Sequence, residues 1–315
     1  MSEQKKVATR DAYGKAIVEL GEQDPNIVVL DADLAKATKT IEFKKAFPDR
    51  FIDCGIAESN MVGVAAGLAA TGKIPFASTF ALFAAGRAFE QIRNSVAYPK
   101  LNVKICVTHA GISVGEDGAS HQAIEDIALM RSIPDMVVIN PSDNVEARAA
   151  TFAIAKYIGP VYLRLGRLAV PTINDESTYR FEIGKGVTLS EGEDITLIAT
   201  GLMVAIALEA AQELQKQGVS SKVINIHTLK PIDRDIILQA ARATKGIVTC
   251  EEHSVIGGLF SAVSDVVIQE GLGIKVLPVA IMDVFGQSGP ASELLELYGL
   301  TSGAITKQAF RILNT

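Results

Sequence analysis

The sequence predicts an α/β protein of two domains, each a mostly parallel sheet flanked by helices. Apolar runs of strand length alternate with segments of helical periodicity along the chain, the pattern of a parallel sheet. The alternation breaks once, at residues 171–186 (PTINDESTYRFEIGKG), where polar and turn-forming residues replace it. With 315 residues in all, the stretches on either side of that break are long enough to bury their own cores. The expected domains are therefore 1–170 and 187–315, joined by a linker at 171–186.

Taken in order, Ala12, Ala16, Ile17 and Leu20 fall at helical spacing within 10–22, and NIVVLDADLA (26–35) reads as a buried strand ending in acids. Such a strand points Asp31 and Asp33 at the edge where α/β sheets bind ligands. A short helix at 39–46, a strand at 50–53 and a helix opening at Glu58 follow, then a strand at 74–79 and a helix at 84–98. The first unit continues with a strand at 103–109, a Gly-rich loop at 110–120, a helix at 122–132, a strand at 136–141, a helix at 143–157 and a strand at 161–165. Past the linker, strands at 195–201, 221–227, 246–252 and 275–281 alternate with helices at 203–217, 233–242 and about 257–270. Neither a short repeat nor a low-complexity tract interrupts the series.

At 48% hydrophobic and 21% charged residues, the chain has the composition of a folded globular protein. Its net charge of −6, with no segment that gathers lysine and arginine, argues against nucleic acid or an anionic membrane as partner. Cys54, Cys106 and Cys250 lie too far apart for a disulfide framework or a paired zinc knuckle, and suit buried thiols in a reducing cytoplasm. The polar start MSEQKKVATRDAYG lacks the apolar core of a signal peptide, and no apolar run reaches the roughly 18 residues of a membrane span. A cytoplasmic protein is the expectation. No G-x-G-x-x-G or P-loop follows a strand, which counts against a dinucleotide or nucleoside triphosphate site.

The residues suited to chemistry concentrate in two places. Glu58 stands among Gly55, Ile56, Ala57, Met61, Val62 and Gly63, ahead of the small residues Ala65, Ala66, Gly67, Ala69 and Ala70. A carboxyl group at the first turn of a closely packed helix is costly to ionise, and is expected to serve there as a protonated hydrogen-bond donor. Read alone, the commoner fate of such a residue is a hydrated carboxylate favoured by the helix dipole. His109 and His121 bracket the loop AGISVGEDGAS, whose glycines can bring imidazole and the carboxylates of Glu116 and Asp117 close to a ligand. Two imidazoles beside polar donors suit proton transfer to hydroxyl or carbonyl groups, although His109 could merely end a strand and His121 begin a helix. The spacing of His109, Glu116, Asp117 and His121 matches no strong metal motif, so no metal ligands are assigned. Phe80 and Phe83 fit a core, or two rings on one face that hold a flat heterocycle. Arg10, Arg164 and Arg167 are solvated charges or phosphate clamps.

These residues in this order resemble the transketolase family of thiamine diphosphate enzymes over almost the whole chain. The motifs are DADLA (31–35), GIAESNMVGVAAGLA (55–69), STFALFAAGRAFEQIR (78–93) and THAGISVGEDGASHQAIEDIALMRSIPDMVVINPSD (108–143), followed by ATGLMVAIALEAA, LKPID and EEHSVIGG. The resemblance implies the family's pyrimidine-binding domain followed by its C-terminal domain. It also implies that Glu58 hydrogen-bonds the cofactor's aminopyrimidine and favours the imino tautomer that removes the thiazolium proton, that Phe80 stacks on the pyrimidine with Phe83 beside it, and that Asp33 approaches the cofactor from a subunit interface. His109, Asp117 and His121 would contact the donor's hydroxyls, with His121 as proton relay, and Arg167 and Arg10 would hold a phosphate.

The chain departs from full-length transketolases at Ala57 and Ser59, which flank the acid, at Ala37-Thr38 after the ADL motif, and at Gly86, where the family tends to carry tyrosine. It also lacks the GDG motif and paired asparagines by which another domain of the family holds the diphosphate and its Mg²⁺. The expected enzyme is therefore split. This chain would be the C-terminal subunit of a transketolase in the pentose phosphate pathway, inactive without a separate diphosphate-binding subunit and working as a heterotetramer of two copies of each. Its reaction would move a two-carbon ketol unit from a ketose phosphate to an aldose phosphate. The rivals are a deoxyxylulose-phosphate-synthase-like enzyme, the β subunit of a 2-oxoacid dehydrogenase, and a non-catalytic subunit that only supports an oligomer.

Overall fold

The computed structural model describes residues 6–314. The polar start at 1–5 and Thr315 lie outside the described residues. In chain order the strands are β1 (Lys6–Ala8), β2 (Ile27–Asp31), β3 (Phe51–Asp53), β4 (Ile74–Phe80), β5 (Lys104–Thr108), β6 (Val137–Ile139), β7 (Val161–Arg164), β8 (Ala169–Pro171), β9 (Val187–Ser190), β10 (Ile195–Ala199), β11 (Ser221–Asn225), β12 (Thr228–Lys230), β13 (Gly246–Ser254) and β14 (Lys275–Ile281). The first sheet runs β12-β6-β7-β5-β4-β2-β3 and the second β14-β13-β10-β11-β9. Pairing within these sheets is parallel except at two edges, where β12 lies antiparallel to β6 and β9 antiparallel to β11. The fold class is the one expected: two mostly parallel sheets flanked by helices.

The first sheet is covered on both faces, which is why β2, β5 and β7 are buried along their full length and read as continuous apolar runs. Ile27 and Val29 of β2 turn to one side, where Tyr13 and Ile17 of the Thr9–Gln23 helix pack with Ala150 and Ile154 of the Asn144–Lys156 helix. Val28 and Leu30 turn to the other, against Met61, Val62 and Ala65 of the Glu58–Ala70 helix. Ala65 and Ala66 are the small side chains that helix buries, while Gly63 and Gly67 lie on its open side.

The two units share a core. The cluster that contains Leu30, Tyr162 and Leu229 of the first sheet continues through Ile198 and Ile224 of the second to Val263 and Val266 of the Leu259–Gln269 helix. Strand β12 belongs in sequence to the second unit yet pairs with β6 of the first, through Thr228↔Ile139 and Lys230↔Val138. Glu146, fully buried, accepts from Asn225 Nδ2 at 2.8 Å and from the Tyr179 hydroxyl, so the 171–186 segment is fastened to both units. Asp143 adds to this by accepting from the backbone N–H groups of Ile173 and Asn174, each at 2.7 Å.

Two helices differ from expectation. The segment expected as one helix at 84–98 is a π-helical turn at Phe83–Arg87, a short α turn at Phe89–Gln91 and a second π-helical stretch at Ile92–Ala97. Such turns often mark functional positions. The helix expected from 122 begins at Asp126. Gln122 is buried and its Nε2 donates to the carbonyls of Ile112 (3.2 Å) and Gln287 (3.0 Å), while Ala123 bridges to Ala110, and these contacts hold 122–125 out of a helix. The β1–β8 ribbon, β9, β12 and the helices Ala291–Leu297 and Ser302–Leu313 have no counterpart among the expected elements.

Candidate active site

All strands of the first sheet except β12 run the same way, so the chain leaves them at one edge, and that edge collects most of the candidate residues. Asp33 follows β2, Glu58 follows β3, Phe80 ends β4 with Phe83 just beyond, His109 follows β5 and Arg167 follows β7.

Glu58 is the first residue of its helix and only 5% exposed. It has a partner that the sequence did not suggest: Arg87 Nη1 donates to Glu58 Oε1 at 3.0 Å. The same guanidinium lies over the Phe83 ring, 4.1 Å from its centroid, and the Ser59 hydroxyl donates to the Arg87 carbonyl at 2.9 Å. Sequence reasoning missed Arg87 although it lies inside the 78–93 motif, because its partner is 29 residues away and no local spacing links them.

Phe80 and Phe83 stack with centroids 5.6 Å apart, and Phe80 is buried. Phe80 also stacks with the His109 ring at 3.9 Å, and His121 stands edge-on to Phe83 at 5.2 Å and to Phe80 at 6.3 Å. Two phenyl and two imidazole rings thus form one cluster, with Glu58 joined to it through Arg87.

His109 sits in the left-handed region at φ +58°, unusual for a side chain of its size, and the turn carries its ring back into the cluster. Arg10 Nη1 lies 3.0 Å from Nε2, and Thr108 Oγ1 lies 2.8 Å from Nδ1. Burial, reinforced by the positive charges of Arg10 and Arg167, pushes the imidazole down from 6.5 to about 3. It is neutral at physiological pH. Arg10 also donates to the Ala37 carbonyl at 3.0 Å, so the position after the ADL motif serves as an acceptor for this arginine. His121 keeps a more open ring, with Ser120 Oγ 3.0 Å from Nδ1, and occupies a turn, not a helix start.

Arg167 donates to the Val114 carbonyl and lies 3.5 Å from Glu116 and 3.7 Å from Asp117, which brings Asp117 to the mouth of the cluster. Arg164, the other arginine considered for phosphate, is withdrawn from the site: it is 3% exposed, and its Nε donates to Asp126 Oδ2 at 2.8 Å. Asp33 is exposed on the loop after β2 at φ +61° and stands outside the contacts just described.

The second unit supports the loop that carries these groups. Glu252 Oε1 accepts from the Ser113 N–H at 2.6 Å, and a Cβ on Gly111, whose φ is +78°, would stand 2.2 Å from the Glu252 carboxyl carbon. Only glycine fits there. Among the described residues no group of three or more His, Cys, Asp or Glu side chains is placed to hold a metal ion. Likewise, no helix among them is long and apolar enough to cross a membrane.

A buried acid, two stacked phenyl rings and two imidazoles at the carboxyl edge of a parallel sheet fit an aminopyrimidine: the acid can meet a ring nitrogen and the phenyl face a flat heterocycle. The same set offers nothing suited to a diphosphate and its divalent metal. Comparison with known proteins identifies both domains. Residues 5–172 match the family model "Transketolase, pyrimidine binding domain", and residues 184–305 match "Transketolase, C-terminal domain". A solved structure described as "Split gene transketolase, inactive beta4 tetramer" is 55% identical, with a TM-score of 0.90 over 98% of this chain and 99% of that one. The 6-deoxy-6-sulfo-D-fructose transketolase subunit SqwH of Clostridium sp. (strain MSTE9) is 44% identical over 96% of this chain and 94% of its own length. Human transketolase is 42% identical over 98% of this chain, which spans only 49% of that enzyme. The chain belongs to the transketolase family and carries its pyrimidine-binding and C-terminal domains.

Proposed function

We propose that this chain is the C-terminal subunit of a two-component, thiamine-diphosphate-dependent transketolase, which transfers a two-carbon ketol unit from a ketose phosphate to an aldose phosphate. The observation that carries the reading is the placement of Glu58, buried at a helix start and joined through Arg87 to the Phe80–Phe83–His109–His121 ring cluster. Bound thiamine diphosphate supplies a nucleophilic carbon for the ketose carbonyl. Glu58 donates a hydrogen bond to the aminopyrimidine nitrogen, and Phe83 with Phe80 fixes the plane of the ring. His109, neutral, orients a sugar hydroxyl. His121, with the more open ring, moves the proton at that hydroxyl, and Asp117 contacts the next one along. Arg167 and Arg10 hold the sugar phosphate at the mouth, where Arg167 exchanges Asp117 and Glu116 for the anion. Asp33 reaches the cofactor across a subunit boundary.

The diphosphate and Mg²⁺ belong, on this reading, to a separate N-terminal subunit, and the working enzyme holds two copies of each chain in the cytoplasm, in the pentose phosphate pathway. The split-gene relative, described as an inactive β4 tetramer, supports partner dependence and self-association. Of the rivals, a 2-oxoacid dehydrogenase subunit has less use for two imidazoles and a carboxylate around a polyol. The test is Glu58→Gln in the reconstituted complex. Loss of at least about a thousandfold in kcat with assembly intact is expected, whereas unchanged turnover would favour a non-catalytic supporting subunit.

A further inference from the structure

We propose that Arg87 is a reversible cover of the acid-and-ring cleft: in the unliganded chain its guanidinium takes the position of a flat, hydrogen-bonding heterocycle, and it turns away when the cofactor's aminopyrimidine enters. The inference rests on the cofactor reading given above. Three observations carry it. One guanidinium covers both groups the heterocycle needs, with Nη1 3.0 Å from Glu58 Oε1 and its carbon 4.1 Å from the Phe83 centroid. Guanidinium and aminopyrimidine are both planar and present a π-face, and each shares one hydrogen bond with the acid, which accepts from the guanidinium and donates to the ring nitrogen.

The second observation is asymmetry of exposure. Glu58 is 5% exposed but the Arg87 side chain 54%, so the arginine can leave into solvent while the acid cannot follow. The third lies in the backbone. Arg87 closes the π-helical turn at Phe83–Arg87, its carbonyl is held by the Ser59 hydroxyl, and it follows Gly86, beside which a Cβ would meet nothing within 4 Å. The main chain is thus anchored to the Glu58 helix, while the preceding residue has open space beside it and the arginine side chain reaches solvent. Solvent reaches the arginine end of the pair and screens its charge there. The cover keeps the buried carboxyl partnered until the cofactor arrives, and it lowers apparent affinity by the fraction of chains it closes.

The test is binding of thiamine, which carries the aminopyrimidine without the diphosphate, to the full chain, read by saturation-transfer NMR and by shifts of the Phe83 ring resonances. Arg87→Met and, as a second variant that retains a polar end, Arg87→Gln are compared with wild type after melting curves show that each is folded. Both are expected to bind thiamine about tenfold more tightly than wild type, as follows if the covered form holds about nine-tenths of the population. Adding Glu58→Gln to Arg87→Met is expected to abolish that gain. Equal or weaker binding by both variants, or no detectable binding by any form, overturns the cover. Such a result leaves the cofactor reading to be decided separately by turnover of the reconstituted enzyme, so the two failures are distinguishable.

Discussion

Arg10 fixes the tautomer of His109. An arginine can only donate, so Nε2, 3.0 Å from Arg10 Nη1, must accept, and the ring proton sits on Nδ1, from which it is donated to Thr108 Oγ1 at 2.8 Å. Both nitrogens are engaged and the ring is neutral, so under the proposed function His109 suits orientation of a hydroxyl and His121 the movement of its proton.

This arrangement has a measurable linkage. The folded-state value of about 3 lies below the ordinary 6.5, so as pH falls through that window the unfolded chain binds a proton that the folded chain refuses. The contribution of His109 is therefore unaffected above pH 6.5 and turns destabilising below it, by about 2 kcal/mol from there to about pH 5. Urea denaturation of wild type and His109→Asn at both pH values checks the sign: the variant should lose less stability on acidification.

Glu252 responds in the opposite sense. Burial raises its carboxyl from 4.5 to about 7, partly offset by Arg164 and the Ser113 N–H. The folded chain thus keeps a proton that the unfolded chain gives up above pH 4.5, and stability falls as pH rises toward 7. Glu252→Gln keeps the acceptor for Ser113 and removes the charge. Relative to wild type it should gain about 1–3 kcal/mol between about pH 5 and 8, measured by denaturant titration.

The Arg164–Asp126 pair should be structural. Both side chains are buried, and Arg164 Nη2 also donates to the carbonyls of Ala123 (3.3 Å) and Glu252 (3.1 Å), which ties the site loop to the second unit. Arg164→Met leaves Asp126 without its counter-charge and should cost about 3–5 kcal/mol. A denaturation midpoint near wild type would contradict that assignment.

Gly111→Ala should be severe for a substitution of one methyl group. The positive φ and the Glu252 carboxyl together leave no room, so a loss of at least about 2 kcal/mol is expected, by thermal unfolding. Gly67, whose Cβ would meet nothing within 4 Å, should accept alanine with little change.

What was legible in the sequence was local. The Glu58 helix, the strands ending at the binding edge and the His109–His121 loop each announce themselves through periodicity or glycine content within a few residues. The rest depended on contacts that no window contains. Arg87 finds Glu58 across 29 residues, Gln122 holds off a helix by reaching Gln287 across 165, and β12 leaves its own unit to complete the first sheet. At Glu58, likewise, composition reports the small residues around the acid and not the arginine that reaches it.

The most direct test of the central claim is ketol transfer from xylulose 5-phosphate to ribose 5-phosphate, assayed with this chain alone and after mixing with a candidate diphosphate-binding subunit, thiamine diphosphate and Mg²⁺. Transfer in the mixture and none by the chain alone is the predicted result. A mixture that assembles and binds the cofactor yet transfers no ketol unit would contradict it, as would full activity of the chain by itself.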